Sequence, residues 1–437
     1  MWFALACRDL PDDIETHPSE HAPSVLVATF PSRRETAAVR VEDGPEVERF
    51  PASVVDGVAT ARLVGLRPDR RYRVIGEVGG VDAFDVTVDT PSAPAALAFD
   101  VDRIDPDADL ATGLVLLSMS GPWSGIVAID GEGEPRWWIE SDDGWGSGSP
   151  RPTADGRRVL WIQNDLGREL VDQRLVEVAF DGATRVERTV SAGHHMIAEL
   201  DGGEYAWPSW DVRHEPWIDG ALMPVLGDRL LVGDGVGEPR TVLSFFDDRG
   251  PAYVPCTHGE AIDDRLGQLV YEWTHTNSVV WLPQRDVFIV VARLLDAILE
   301  VDRQTGAVGW QLGGRDGTLA IAEEDRFSHG HMSDAWDGGL LMFDNGSHHR
   351  EKVSRVVEYA IDPADGVAEV VWEHVDPYEG FYAFLGDARR LPSGDVAIAW
   401  STGARVEEVA RDHTLRWRLW GPDDATFGRM SFLPALR

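Results

Sequence analysis

The stretch His275-Thr-Asn-Ser-Val-Val-Trp-Leu-Pro-Gln-Arg-Asp-Val-Phe-Ile-Val-Val-Ala-Arg293-Leu-Leu-Asp-Ala-Ile-Leu-Glu-Val-Asp302-Arg-Gln-Thr-Gly306-Ala-Val-Gly-Trp310 decides the fold. It contains four apolar, β-branched runs, at Ser278–Pro283, Val287–Arg293, Ala297–Asp302 and Ala307–Trp310. Tight polar turns separate them and no 3.6-residue period is present, so each run reads as a strand of one small antiparallel sheet. The unit recurs. From His331 it runs through Leu340–Asn345, Ser354–Tyr359 and Val370–Trp372; from Gly386 it runs through Ala388–Pro392 and Asp395–Trp400 to Trp417. Earlier copies span Gly113–Ile139, Arg157–Val190 and His195–Trp273, the third carrying an apparent insertion at Ile218–Gly237. Six four-stranded units over residues 96–437, roughly 57 residues each, predict an all-β, six-bladed β-propeller. Asp302, Gly306 and Trp310 mark an outer turn whose tryptophan is expected to pack between blades.

Residues 22–93 read as short alternating strands, Ser24–Phe30, Ala37–Val41, Val58–Val64 and Tyr72–Val78. They predict a small β-sandwich ahead of the propeller, joined to it by the linker Pro91-Ser-Ala-Pro94. The phrase from Leu66 to Val74 resembles the turn into a late strand of fibronectin type III domains, which implies that the Tyr72 hydroxyl pins a corner. Residues 1–21 form a leader and tether. Met1-Trp-Phe-Ala-Leu-Ala-Cys7 resembles the tail of a bacterial lipoprotein signal, which implies export and a lipid anchor at Cys7. The basic n-region and most of the apolar h-region are missing, and a cytoplasmic location follows if that likeness is accidental.

The formal charge is -35 and Lys352 is the only lysine. So acidic a chain repels phosphates and is not expected to bind nucleic acid; an anionic substrate would need a local positive pocket. Cys7 and Cys256 make no CxxC motif, which excludes thiolate zinc, and no disulfide between them is expected. No apolar run reaches the length of a membrane span.

The two phrases His195-Met and His331-Met are each followed by Asp-Gly-Gly, at Asp201–Gly203 and Asp337–Gly339. In a toroid, residues at one position of the repeat face a common axis. His275 starts an innermost strand and Arg293 ends the antiparallel second one, so both lie at one edge; His331 relates likewise to Asn345, and His195 to Ser209-Trp210-Asp211. Three imidazoles from consecutive blades are therefore predicted to meet at one mouth of the channel. His194 and His329 fall outside this register. His348-His349 read as an exposed loop beside Lys352.

His275-x-Asn277, Arg293, Phe327-Ser-His-Gly-His331, Phe343-Asp-Asn345 and Ser354-Arg355-x-x-Glu-Tyr359 together resemble the arylsulfotransferase family. The resemblance covers most of residues 96–437. It implies a six-bladed propeller, often exported and preceded by a small β domain. It also implies transfer of a sulfuryl group from an aryl sulfate donor to a phenolic acceptor through a sulfohistidine, without metal or other cofactor. His331 would be the covalent residue, with His195, His275 and Arg293 as its catalytic partners. Asn277, Asn345, Arg355 and Thr402 would contact the substrate. His195, given an ordinary imidazole pKa, would protonate the leaving phenolate and deprotonate the acceptor. The family's nucleophile usually sits in Gln-His-Asp, whereas Gly330 and Met332 flank His331 and Met196 follows His195. Asp334 is the candidate substitute for the missing carboxylate. Two other readings stand beside this one. The first is a non-catalytic exported propeller that binds a ligand or protein. The second is a quinone- or metal-dependent enzyme, since Asp302–Trp310 resembles a quinoprotein docking motif and three histidines can hold a metal.

Overall fold

The computed structural model describes residues 14–165, 171–216, 220, 222–251, 262–263, 270–378 and 380–436. Cys7, Cys256 and nearly all of the leader lie outside the described residues, as do parts of the Ile218–Gly237 stretch. Six blades form a propeller, antiparallel except where Leu222–Gly233 pairs parallel with Val270–Glu272 in blade three. Blade four is the simplest, with Thr276–Leu282, Val287–Ala292, Ala297–Asp302 and Val308–Gly313 paired in chain order. Blade five repeats this with His331–Trp336, Gly339–Asp344, Arg355–Asp362 and Val367–Val375. Every residue of Val287–Ala292 and of Gly339–Asp344 is buried, because a second strand is covered by a neighbouring blade on each face. Trp310 is buried among Ile289 and Ile298 of its own blade and Leu340, Met342 and Tyr359 of the next. Asp302 sets up the turn before it by accepting from the amides of Gln304 and Thr305.

Closure of the ring lies beyond the last repeat read from the sequence. Blade one takes Leu114–Ser120, Gly125–Asp130 and Pro135–Glu140 from the start of the propeller and Thr426–Leu433 from its end. The C-terminal strand pairs antiparallel with Leu114–Ser120, so the two ends of the ring are hydrogen-bonded together. A closed ring leaves no exposed inner edge. Blade six (Asp387–Arg390, Val396–Ala399, Arg405–Val409, Leu415–Trp420) gains an outer strand, Asp100–Arg103. The stretch read as an insertion in blade three is also reassigned. Leu222–Gly233 is a full blade strand that pairs along its length with Tyr205–Pro216.

Strands from Glu15 to Asp89 form one seven-stranded antiparallel sheet around Phe30, Val39, Leu63, Tyr72 and Val74. The Tyr72 hydroxyl accepts the Arg67 amide at 3.0 Å, pinning the turn ahead of its strand. This module rests on blades one and two: Ser24 Oγ accepts the Trp138 amide at 3.2 Å and Arg136 donates to the Gly65 carbonyl at 2.6 Å in blade one, and Ser19 Oγ donates to the Gly182 carbonyl of blade two at 2.8 Å.

Candidate active site

The three predicted imidazoles do meet. The His195 ring lies 4.8 Å from that of His275 and 6.5 Å from that of His331, centroid to centroid. Their backbones are not equivalent, however. Thr276 pairs with Ala292 and Ser278 with Val291, while His331 pairs with Phe343 and Ser333 with Met342. His331 therefore corresponds to Thr276, and His275 sits one residue earlier. His195 and His275 adopt left-handed backbone angles, φ 58° and 51°, which turn their rings out of the strand and into the mouth. His331 is an ordinary strand residue and only 2% exposed. The Asp-Gly-Gly phrases diverge as well. Asp201–Gly203 is a 3-10 turn outside the strands, whereas Gly339 is already the first residue of the next strand.

Each imidazole has its Nδ1 engaged. His331 Nδ1 lies 2.9 Å from the Gly386 carbonyl, which can only accept; Nδ1 therefore carries the proton and Nε2 the lone pair. His275 Nδ1 donates to Glu272 Oε1 at 2.6 Å. His195 Nδ1 lies 2.7 Å from His194 Nδ1, and His194 Nε2 lies 2.9 Å from Asp228 Oδ1. Burial works against the Asp228 charge, but bonds from His194, Thr274 and the Thr276 amide outweigh it and hold the carboxyl below its usual range. Asp228 is thus an acceptor, which makes His194 Nε2 a donor, His194 Nδ1 an acceptor and His195 Nδ1 a donor. His194 is pinned further by stacking on Trp210 at 3.7 Å. Far from falling outside the site, it is the link between His195 and a buried carboxylate.

Burial pushes the pKa of His331 well below the ordinary imidazole value, and the Arg429 charge adds to that. Burial, then the neighbouring His275 and His194, does the same to His195. Both rest neutral. The expectation that His195 protonates a leaving group from an ordinary pKa does not fit this neutral ring, which has a lone pair at Nε2.

Arg429 was not foreseen. The pairing of Thr426–Leu433 with blade one breaks between Phe427 and Met430, and this bulge holds Arg429. A bulge re-aims a side chain out of the alternating pattern. Here it sends the guanidinium into the channel, where Nη2 donates to the Asn277 carbonyl at 2.5 Å and Nη1 faces Met196 Sδ at 3.8 Å. A cavity of ≈ 290 Å³ opens above it, lined by His194, His195, His275, Trp210, Asn164 and Arg429 among others. Arg151 and Arg389 lie nearby, and the buried carboxylate of Asp387 is bonded to Arg389. Three guanidiniums gathered at one buried carboxylate supply the local positive field that an anion would need inside so acidic a protein.

Other predicted residues have different surroundings. Arg293 is buried and its amide donates to the His275 carbonyl, as the shared edge requires; its Nη2 donates to the Ala383 carbonyl at 3.0 Å. Asn345 Nδ2 donates to the Tyr382 and Leu385 carbonyls, and Asn277 Nδ2 to that of Gly330. Arg293 and Asn345 thus hold the segment ahead of Gly386, the residue whose carbonyl sets the His331 tautomer. Arg355 pairs with Asp344 at 2.9 Å and Glu373 at 2.8 Å, beside a different cavity. Thr402 is exposed in the turn Ser401–Gly403 and does not line the imidazole cavity; the strand end carries it outward. Asp334 Oδ2 accepts the Arg390 amide at 3.1 Å on the blade-six side, so the partner of His331 is a backbone carbonyl and not this carboxylate.

The fold is thus a six-bladed propeller with a cluster of imidazoles and a buried arginine at the mouth of its channel. The Arylsulfotransferase (ASST) family model matches residues 103–415, and the chain belongs to that family. No match is found among curated proteins. Among solved structures, TolB from Acinetobacter baumannii is 12% identical with a TM-score of 0.47, covering 85% of this chain and 80% of that one. A protein of unknown function from Bacteroides caccae is 12% identical with a TM-score of 0.41, covering 79% and 96%. The Cps50 (Swd1) β-propeller domain of Myceliophteria thermophila is 13% identical with a TM-score of 0.41, covering 73% and 89%. Likenesses this remote carry no information on function.

Proposed function

We propose that this protein transfers a sulfuryl group from an aryl sulfate to a phenolic acceptor through a covalent histidine, His331. The observation that supports it is the trio of clustered imidazoles, each with Nδ1 committed elsewhere, beside the buried Arg429 cation. The lone pair on His331 Nε2 attacks sulfur, the sulfur–oxygen bond to the aryl group breaks, and the phenolate leaves with that electron pair. An acceptor phenol then gives its proton to His195 Nε2. Its oxygen attacks sulfur, the sulfur–nitrogen bond breaks, and neutral His331 returns. The proton on His195 ends on the departed phenolate through solvent. Arg429 stabilises charge on the sulfuryl oxygens as it develops.

A second reading rests on exposure. His195 lines the cavity, whereas His331 lies beneath it, and His195 also has its Nε2 unprotonated. In that reading the group is carried on His195. Incubation with a chromogenic aryl sulfate alone, followed by peptide mapping, separates the two. A single sulfuryl adduct on the peptide containing His331 is expected; the same mass on the His195 peptide moves the nucleophile. Absence of both adduct and phenol release across a panel of donors rejects the transferase and favours a ligand-binding propeller.

A further inference from the structure

Outside the central trio, Asp296, His329 and His348 bring two imidazole nitrogens and a carboxylate oxygen together, all within 4.8 Å of one another. They come from three chain segments: the turn after Arg293–Leu295 in blade four, the approach to the first strand of blade five, and the loop after Asp344. We propose that this trio is a divalent transition-metal site, suited to zinc, that clamps blade four to blade five beside the imidazole cavity.

The arrangement is held from several directions. Asp296 Oδ1 accepts the His329 amide at 2.6 Å, and Oδ2 lies 3.0 Å from His348 Nδ1. The two imidazole rings stand edge to face, 4.5 Å apart. Asp296 and His329 both have left-handed backbones, φ 49° and 52°, so two of the three donors are presented by conformations that non-glycine residues seldom adopt. Two imidazoles and one carboxylate are a common ligand set for zinc, with water completing the shell. A cavity of ≈ 580 Å³ reaches Asp296 and His348, and it gives the ion a route in and room for that water.

The charges around the site set its strength. Burial disfavours a proton on His329, and the Arg293 and Lys352 charges add to that and oppose a cation as well. Asp296 is the only carboxylate of the trio. Binding is therefore expected to be one ion per chain and modest in affinity. The clamp would fix the turn that carries Arg293 and the segment leading into His331. It does not depend on the sulfuryl-transfer reading.

The test uses the full-length chain without an affinity tag. Cobalt(II) is titrated and followed by its visible absorption, and zinc is titrated by calorimetry. One equivalent should bind, with visible bands of a low-coordinate site, and zinc should raise the melting temperature. His348→Ala sits on a partly exposed loop and should fold; it should weaken binding by about tenfold or more and abolish the thermal shift. His329→Asn should behave alike, whereas His275→Asn should bind as the parent does. No stoichiometric binding overturns the proposal. So does binding that survives His348→Ala and His329→Asn, or that is lost in His275→Asn, which would place the metal in the central trio.

Discussion

Blades three and five each bring two histidines to the same mouth, and they use them in different ways. In blade three, His194 and His195 are adjacent, and their Nδ1 atoms meet in a relay that ends on the buried Asp228. In blade five, His329 and His331 are two residues apart. His329 turns toward Asp296 and His348, while His331 enters the strand and binds the Gly386 carbonyl. A carboxylate relay can accept positive charge that develops on its imidazole, whereas a carbonyl can only fix the tautomer. On the proposed mechanism blade three handles the proton and blade five holds the nucleophile. The same contrast accounts for the missing flanking aspartate: a backbone acceptor from blade six takes its place.

The strongest way to break this contrast is His331→Asn. Turnover of a chromogenic aryl sulfate should fall by on the order of 10⁴-fold or more, with the melting temperature little changed. Retained turnover assigns the covalent role to His195 and reverses the two blades. Arg429→Gln comes next. Loss of a fixed donor aimed at developing charge should lower kcat by about 10²- to 10³-fold. An effect on KM alone would mean that the guanidinium only attracts the donor.

The relay and the carbonyl can then be probed separately. Asp228→Asn keeps the shape but presents a neutral group to His194. It should lower kcat by about 10²-fold and shift the nitrogen resonances of His195, leaving those of His331 in place. Gly386→Ala acts on the other blade. Gly386 has φ +96°, and a Cβ there would meet the Phe343 ring at 2.5 Å, so the carbonyl must move. A loss of about tenfold, with His331 resonances shifted, is expected. If each variant perturbs both histidines equally, the blades are not independent and the division of labour fails.

The sequence made the fold readable where local signals agree, in blades four and five, whose strands, turns and Trp310 follow one another without interruption. Thr426–Leu433 escaped because its Gly428-Arg429 bulge breaks the alternation that marks a strand, and because its partner lies at the far end of the chain. Asp228 escaped because its twelve-residue strand, Leu222–Gly233, fell inside the stretch read as an insertion. The clustering of His195, His275 and His331 was legible from the repeat, since blade entrances face the axis whatever their detailed register. The partners of those rings were not. They depend on which carbonyl or carboxylate a neighbouring blade presents, as with Gly386 for His331, and no spacing in one strand encodes that. Asn345 and Arg293 illustrate the reverse case: both are where their spacing put them, yet each donates to the segment ahead of Gly386.

The smallest expected effect concerns stability against pH. Burial lowers the pKa of His194, against the pull of Asp228, and lowers that of His195, where His275, Arg429 and His331 also face the ring. In the unfolded chain both take up protons below about pH 6.5. The folded state resists those protons. Their contribution is therefore complete above about pH 6.5 and is lost as pH falls below it, at most about 1.4 kcal/mol per pH unit for each group. Asp344 and Glu408, whose carboxyls burial pushes up, act in the opposite sense. The informative quantity is consequently the difference between the parent and His195→Asn, measured by thermal melts from pH 7.5 down to 5.5. The parent should lose stability more steeply, and parallel curves would mean that His195 is not held neutral by the fold. Blade three would then differ from blade five only in the groups its ring bonds to, Asp228 through His194 in place of a carbonyl.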